Sequence, residues 1–335
     1  MAVTPDPNTF KVDVHSHPIP EFYRDAMVSA GFATADDCSV IVDGFHIPNF
    51  DIKTYMEERV EHGYNYSILS ITAPGVSFLH GNSRAICLAR KLNDQLFEYT
   101  QTYPKQLGAF GILPIPDIQG SLSEIKYCLD DLKLEGIGLY TNYDGKYLGD
   151  PSLDPIFEEL DRRRATVFVH PTNPPTAPDL PGMSLPVIEY TFDTTRAVAN
   201  LLFTKARQRF PHIKMIFSHG GGALPFLAER LAVQTTLPFH GGRDRSESMK
   251  ELQNYYFDTA VVLGNPQFSS LKEFVGADQL LTGSDYPYVP GHLVPSIQDS
   301  FKAYEGFTDE EKQKIGWRNA FELFPSLKTK FLELK

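Results

Sequence analysis

The chain has 335 residues, a formal charge of −11 and 42% apolar residues, with 24 Phe and 16 Tyr among its aromatics. That is enough apolar material for one large α/β domain, and the acidic balance excludes a general nucleic-acid binder, which needs a basic face to neutralise phosphates. No run of about 18 apolar residues exists to cross a membrane.

The first element is a strand from Lys11. Val12-Asp13-Val14-His15-Ser16-His17 alternates polar and apolar residues, so Asp13, His15 and His17 are expected on one face. Pro18 and Pro20 stop the strand. Residues 18–50, with Gly31, Gly44 and Pro48 and a strand-like piece at Cys38–Val42, read as an excursion over the mouth of the domain. Asp51 starts a helix to about His62, with Ile52, Tyr55, Met56 and Val60 at helical spacing.

From there strands and helices alternate. Strands are expected at Tyr66–Ile71, Leu107–Leu113, Gly136–Tyr140, Thr166–His170, Ile213–His219, Tyr255–Ala260 and Gln279–Gly283. Between them lie helices at Asn82–Thr102, Ser121–Leu132, Ser152–Arg164 (Ser152 as N-cap), Phe192–Phe210, Ala223–Val233 and Gln267–Val275. The Pro-rich stretch Pro171–Pro186 is a stiff loop, and the C-terminal part, 305–335, is helical. With the first strand this makes eight β/α units, which implies a (β/α)8 TIM-type barrel over one domain, residues 1–335. A doubly wound open sheet is the other architecture, but no Gly-rich phosphate loop follows the first strand.

The 3 cysteines, Cys38, Cys87 and Cys128, are scattered and form no C-x-x-C pair. Met1–Phe10 has no apolar signal-peptide core. A reducing, cytoplasmic setting is the expectation.

Barrel active sites sit at the C-terminal ends of the strands. There the sequence places His15 and His17, His170 after Val167-Phe168-Val169, His219 after Ile216-Phe217-Ser218, and Asp285 after Thr282-Gly283-Ser284. His15, His17, His170 and Asp285 are the natural ligands for one divalent ion, Zn²⁺ first and Mn²⁺ second. Asp285 follows the eighth strand, which lies beside the first in a closed barrel. His219, further round, faces substrate as an acid, base or hydrogen-bond donor. The end of the fourth strand, Gly138-Leu139-Tyr140, offers no bridging anion, so one metal is expected rather than two. Each residue also has a plainer reading. His170 before Pro171 reads equally as a buried structural imidazole, Asp285 as a turn former before Tyr286-Pro287, and His219 as the cap of a glycine turn.

Asp13-Val14-His15-Ser16-His17, His170-Pro171, Ser218-His219-Gly220-Gly221-Gly222-Ala223-Leu224-Pro225-Phe226 and Gly283-Ser284-Asp285-Tyr286-Pro287 together resemble the metal-dependent decarboxylase branch of the amidohydrolase superfamily. Phe192-Asp193-Thr194-Thr195-Arg196-Ala197 and Asn319-Ala320-x-x-Leu323-Phe324 extend the resemblance over nearly the whole chain, and within the branch it is nearest to 6-methylsalicylate decarboxylase-type enzymes. The resemblance implies a single Zn²⁺, a homodimer, and non-oxidative loss of CO2 from a small ortho-hydroxy aromatic acid or related unsaturated acid. It implies His15, His17, His170 and Asp285 as ligands and His219 as catalytic. It also implies a role for Arg230 at a neighbouring subunit's site, a position that reads equally as plain surface. On this reading Asp285, partly protonated, delivers the proton to the ring carbon, and Phe192, Tyr286 and Tyr288 line the substrate pocket. Two departures stand out. No anchoring Arg for a dicarboxylate is evident between Pro18 and Phe50, and Gly222 stands where some benzoate decarboxylases carry a Glu. The same ligands would also serve a metal-dependent hydrolase of a lactone or amide, or a non-catalytic metal-binding protein.

Overall fold

A computed structural model of the protein describes residues 9–178 and 180–331. Residues 1–8, where no signal peptide is expected, and 332–335, the end of the expected C-terminal helices, lie outside the described residues.

Eight parallel strands form one sheet in sequential order. They are β1 Val12–Ser16, β2 Tyr66–Leu69, β3 Leu107–Gly111, β4 Gly136–Tyr140, β5 Thr166–His170, β6 Lys214–Phe217, β7 Tyr256–Asp258 and β8 Leu280–Leu281. The sheet closes on itself across the seam between its last and first strands. Val14 N donates to Thr282 O (3.0 Å), Asp285 N to His15 O (2.8 Å) and His17 N to Tyr286 O (2.7 Å). The result is the (β/α)8 TIM-type barrel expected from the alternation.

The strands are almost wholly buried, only Gly138, Lys214 and Tyr256 being partly exposed, because helices cover them outside and side chains fill the space within. Phe110 and Phe168 stack at 5.4 Å. They join Val12, Val14, Ile68, Ile216 and Leu281 in one apolar cluster with Trp317, Phe321 and Phe324 from the C-terminal helical segment. That layer is packed core rather than a pore, and it supports the site from below: the Phe168 ring meets His15 at 5.0 Å.

Several boundaries differ from expectation. Asp150, not Ser152, caps the helix Asp154–Arg162 through a short 3-10 turn, its carboxylate accepting from Ser152 N. The helix expected to run to Phe210 ends at Phe203, where Lys205 takes a positive φ of 57°. Val60 is exposed, although Tyr55 on the same helix is buried. Helices at Arg245–Gln253 and Val294–Ala303 were not expected. Strict alternation also fails along β1: its pairing with β2 shifts between Asp13 and Ser16, so Asp13 and His15 serve different neighbours.

The 18–50 excursion contains a helix, Glu21–Ser29, and a two-stranded hairpin, Ile41–Val42 with Phe45–His46. Asp43 and Gly44 make its turn, with φ of 53° and 76°. The hairpin tip is fastened to the Pro-rich loop and the helix after it: Leu185 N donates to Asp43 O (3.0 Å) and Tyr190 Oη to Asp43 Oδ2 (2.9 Å). Among the described residues no helix is long and apolar enough to cross a membrane.

Candidate metal centre

Four of the predicted residues meet at the C-terminal end of the barrel. One ligand atom from each of His15, His17, His170 and Asp285 lies within 4.8 Å of the others, and all four residues are buried. Among the described residues this is the one cluster of its kind.

Each imidazole is aimed by a bond at its far nitrogen. His15 Nδ1 donates to Asp258 Oδ2 (2.8 Å), His17 Nδ1 to Ser70 O (3.0 Å) and His170 Nδ1 to Pro171 O (2.7 Å). A carbonyl or carboxylate at Nδ1 fixes the proton there and leaves Nε2 as a bare lone pair. Two such lone pairs, on His15 and His17, face each other at 2.9 Å. Asp285 Oδ1 lies 3.2 and 3.3 Å from the same two atoms and is buried without a hydrogen-bond partner. Acceptors converging with no donor between them are unfavourable unless a cation sits among them. Three imidazole nitrogens and a carboxylate oxygen are the donor set of a divalent first-row metal.

Without an ion the protonation pattern is mixed: His17 and His170 are pushed toward the neutral ring, whereas His15 is pushed toward taking up a proton at the place a cation would fill. Burial, with the neighbouring His17, His15 and His219 rings, pushes His170 well below its ordinary value. Burial likewise lowers His17. Burial alone would lower His15 too, but the Asp258 and Asp285 carboxylates outweigh it and raise that ring to about 10. Burial alone would raise Asp285; the His15, His17 and His219 rings outweigh it and hold the carboxyl well below the usual carboxylate range. Without an ion Asp285 is thus held toward its ionised form, whereas the expectation from sequence was a carboxyl partly protonated near the metal.

His219 Nε2 lies 3.2 Å from Asp285 Oδ2, so Asp285 presents one oxygen to the ligand cluster and the other to His219. Both residues adopt left-handed backbone, with φ of 55° and 58°. Such conformations cost about 1 to 3 kcal/mol each and persist only where the surroundings enforce them. Around His219 the glycine turn does so. A Cβ on Gly222 would stand 2.0 Å from Thr191 O, and one on Gly221 2.7 Å from the Phe257 ring. This is why Gly222 cannot hold a Glu partner for His219.

Asp258, at the end of β7, was missed by sequence reasoning. Fully buried, it grips His15 Nδ1 with Oδ2 and accepts His219 N (3.0 Å) and Ala260 N (2.9 Å) with Oδ1. The signal was present, since Asp258 closes the apolar run Tyr256-Phe257 just as His170 and His219 close theirs. Asp13 is structural. Its carboxylate accepts His15 N (3.0 Å), Ser284 N (3.0 Å) and the Ser284 hydroxyl (2.6 Å), tying β1 to the segment after β8.

A cavity of about 530 Å³ opens above the cluster. His170, His219 and Asp285 form its polar floor, Val42, Phe45 and Ile47 of the excursion one wall, and Tyr288 and Leu293 part of another. Among the described residues no Lys or Arg lines it. The Tyr288 hydroxyl is buried facing Thr72 without a bond of good geometry.

Three sequence-predicted residues are elsewhere. Tyr286 pairs its backbone with Ser16 and turns its ring outward onto Tyr55 (4.9 Å) and Phe50 (6.4 Å). Phe192 lies on the helix Glu189–Phe203 beside the lining residues Tyr190 and Thr191, but its ring is partly in solvent and does not line the cavity. Arg230 is exposed on the helix Leu224–Gln234.

Comparison with known proteins gives the same picture. The amidohydrolase family profile matches residues 12–326. The 6-methylsalicylic acid decarboxylase of Penicillium expansum is 33% identical over 323 residues, covering 95% of this chain and 97% of that protein. A solved structure described as an amidohydrolase II is 29% identical with a TM-score of 0.85, covering 93% of this chain and 99% of the other. A dihydroxybenzoic acid decarboxylase from Polaromonas sp., solved with bound manganese and 2-nitroresorcinol, is 22% identical with a TM-score of 0.75, covering 94% and 96%. With a family profile spanning almost every described residue and a donor cluster at the strand ends, this chain belongs to the amidohydrolase family.

Proposed function

We propose that the protein is a metal-dependent carboxy-lyase that removes CO2 non-oxidatively from a small ortho-hydroxy aromatic acid, 6-methylsalicylate or a related hydroxybenzoate. The observation that carries this reading is the donor cluster of His15, His17, His170 and the unpartnered Asp285 Oδ1, set in the floor of an apolar cavity with His219 on the other carboxylate oxygen. The similarity to fungal 6-methylsalicylic acid decarboxylase supports it.

His15, His17 and His170 would hold the ion through Nε2 and Asp285 through Oδ1, one ion per chain. Zn²⁺ is our first assignment from the three imidazoles, and Mn²⁺, present in the Polaromonas structure, is the other ion that suits the set. When bound, it supplies a Lewis acid that polarises the substrate's carboxylate and phenol oxygens.

The chain's own residues supply the proton. Cleaving an aryl–carboxylate bond directly would leave an unstabilised aryl anion, so the ring carbon bearing the carboxylate is protonated first. Asp285 is held toward its ionised form, and the proton it delivers comes from His219 across 3.2 Å. The carbon–carbon bond then breaks, its electron pair restores the aromatic ring, and CO2 leaves. The excursion walls off water, and the absence of Lys and Arg from the lining selects against a second carboxylate on the substrate.

The whole chain acts as one barrel domain in this reading. It forms a homodimer through the helix Leu224–Gln234, where Phe226 is 88% and Val233 47% exposed on the face that carries Arg230. A cytoplasmic location fits three unpaired cysteines.

The test is elemental analysis of the purified protein followed by incubation with salicylates. One equivalent of Zn or Mn, and CO2 released in step with the phenol, are expected. Hydrolysis of lactones or amides with no CO2 from any salicylate would overturn the proposal.

A further inference from the structure

The cavity is too large for the ring acid alone. An apolar cavity of about 150 Å³ is enough to hold a benzene ring. The cavity here is about 530 Å³. Its lining is mainly apolar; beyond His170, His219 and Asp285 the polar side chains are Thr72, Tyr190, Thr191, Gln267, Tyr288 and Ser296. Its exposed lining residues are Val187, Val261, Leu263 and Leu293, with Gln267, Pro290 and Ser296 beside them.

Those four aliphatics are unusual for a soluble surface. Val187 is 60% exposed, Leu263 49%, Leu293 45% and Val261 39%, and all four line this one cavity. Scattered exposed aliphatics need no explanation, but four of them lining one largely apolar cavity do. Among the described residues no Lys or Arg lies in the lining to receive a charged substituent. An apolar group lying along this channel would bury the walls and the exposed aliphatics, and a single methyl group would leave most of that apolar surface uncovered.

We infer that the preferred substrate carries an apolar extension longer than methyl, an alkyl chain or a second ring, on the ring edge away from the carboxylate and hydroxyl. This rests on the decarboxylase reading and names the substrate class more narrowly. The floor performs the chemistry on the acid, and the outer part of the cavity, with Leu263, Leu293 and Ile297, binds the extension.

The experiment compares salicylates bearing methyl, propyl, pentyl or heptyl at C4 and, separately, at C6. For each acid CO2 release is measured for kcat/KM, and affinity is measured by calorimetry. In at least one series kcat/KM should rise roughly two- to fourfold per added methylene until the chain reaches the exposed aliphatics. Leu263→Trp, which narrows the outer channel, should lower kcat/KM for the pentyl or heptyl acid at least tenfold more than for the methyl acid. If the methyl acids are decarboxylated and kcat/KM falls or stays flat with length in both series, the extension is wrong while the decarboxylase reading stands. Exposed aliphatics covered by a second copy of the chain would give that outcome. If no acid releases CO2, the decarboxylase reading fails. Calorimetry then decides the extension by itself: affinity independent of chain length overturns it, and affinity rising with length upholds the apolar subsite.

Discussion

Replacing Asp258 with Asn tests whether the metal ligands depend on their support. The carboxylate does two things at once. Oδ2 takes the proton of His15 Nδ1 at 2.8 Å, and Oδ1 accepts two backbone N–H groups, from His219 and Ala260, at 3.0 and 2.9 Å. An amide has one acceptor and one donor end. With its oxygen on the two N–H groups, its NH2 faces His15 Nδ1; the ring must then carry its proton on Nε2, where the ion should bind. Turned the other way, its NH2 opposes both backbone donors. Neither orientation keeps all three bonds. The pair is fully buried, so no water replaces what is lost. A hydrogen bond to a charged group contributes about 1.5 to 3 kcal/mol. That matches the 10- to 100-fold loss of metal affinity typical when the group supporting a ligating His is removed. Competition against a chromophoric chelator, on wild type and Asp258→Asn, should show a weakening in this range. Circular dichroism confirms that the variant is folded. Wild-type affinity in a folded variant would refute the claim that Asp258 sets the His15 tautomer.

Three further outcomes are expected. His219→Ala should keep its metal by elemental analysis but lose turnover by about 10²- to 10⁴-fold, the usual worth of a proton-transfer group, and full activity would remove His219 from the reaction. Lys11, half-buried against Gln298, has its amine lowered to about 8 by burial and by Lys302. Between about pH 8 and 10.5 the unfolded chain therefore holds a proton that the folded one has lost, and unfolding free energy rises with pH. Denaturant titrations should show wild type gaining on Lys11→Met by roughly 2 to 3 kcal/mol from pH 7.5 to 10.5, and a constant gap would contradict the burial of that amine. Phe226→Glu should convert a dimer to a monomer in sedimentation equilibrium, and an unchanged dimer would place the interface elsewhere.

The candidate ligands and His219 were legible because each closes an apolar strand at the same end of the barrel, and a closed barrel must bring those ends together. His15, His17, His170, His219 and Asp285 all obey that rule. Asp258 obeys it too, but its role is to orient a ligand, and its sequence carries no metal spacing. What the sequence does not encode is side-chain direction once a strand has ended. Tyr286 follows Asp285 through a residue at φ 58°, where neither a period of two nor of 3.6 applies, and its ring goes to the Phe50–Tyr55 layer instead of the cavity. The helix Arg245–Gln253 lacks a strong apolar stripe, and its visible sign was Asp244, whose carboxylate caps Ser246 N and Glu247 N. Val294–Ala303 begins with Pro295 in its first turn, a residue that more readily suggests a loop.

The position of the cluster links the site to the closure of the barrel. His15 and His17 belong to the first strand and its end, whereas Asp285 follows the last. The Asp285 N to His15 O bond and the Asp13 bonds to Ser284 cross the same seam. Two polar devices therefore act at one join. Asp13 is a buried carboxyl that burial raises to about 6 against the hydrogen bonds from Ser16, Ser284 and His15 that favour its charge. It fastens the backbone, and the Asp285 carboxylate faces the imidazoles beside it. An ion held there would bridge residues some 270 positions apart, so it would bind the closed barrel and not the open chain. By mass action a metal at 100 times its Kd adds about 2.7 kcal/mol to the folded state. The seam is also where a closed sheet is weakest in this chain, since β8 is only 2 residues long. The proposed chemistry at Asp285 and the closure of the fold thus rest on the same few bonds, at a join that ordinary strand pairing leaves short.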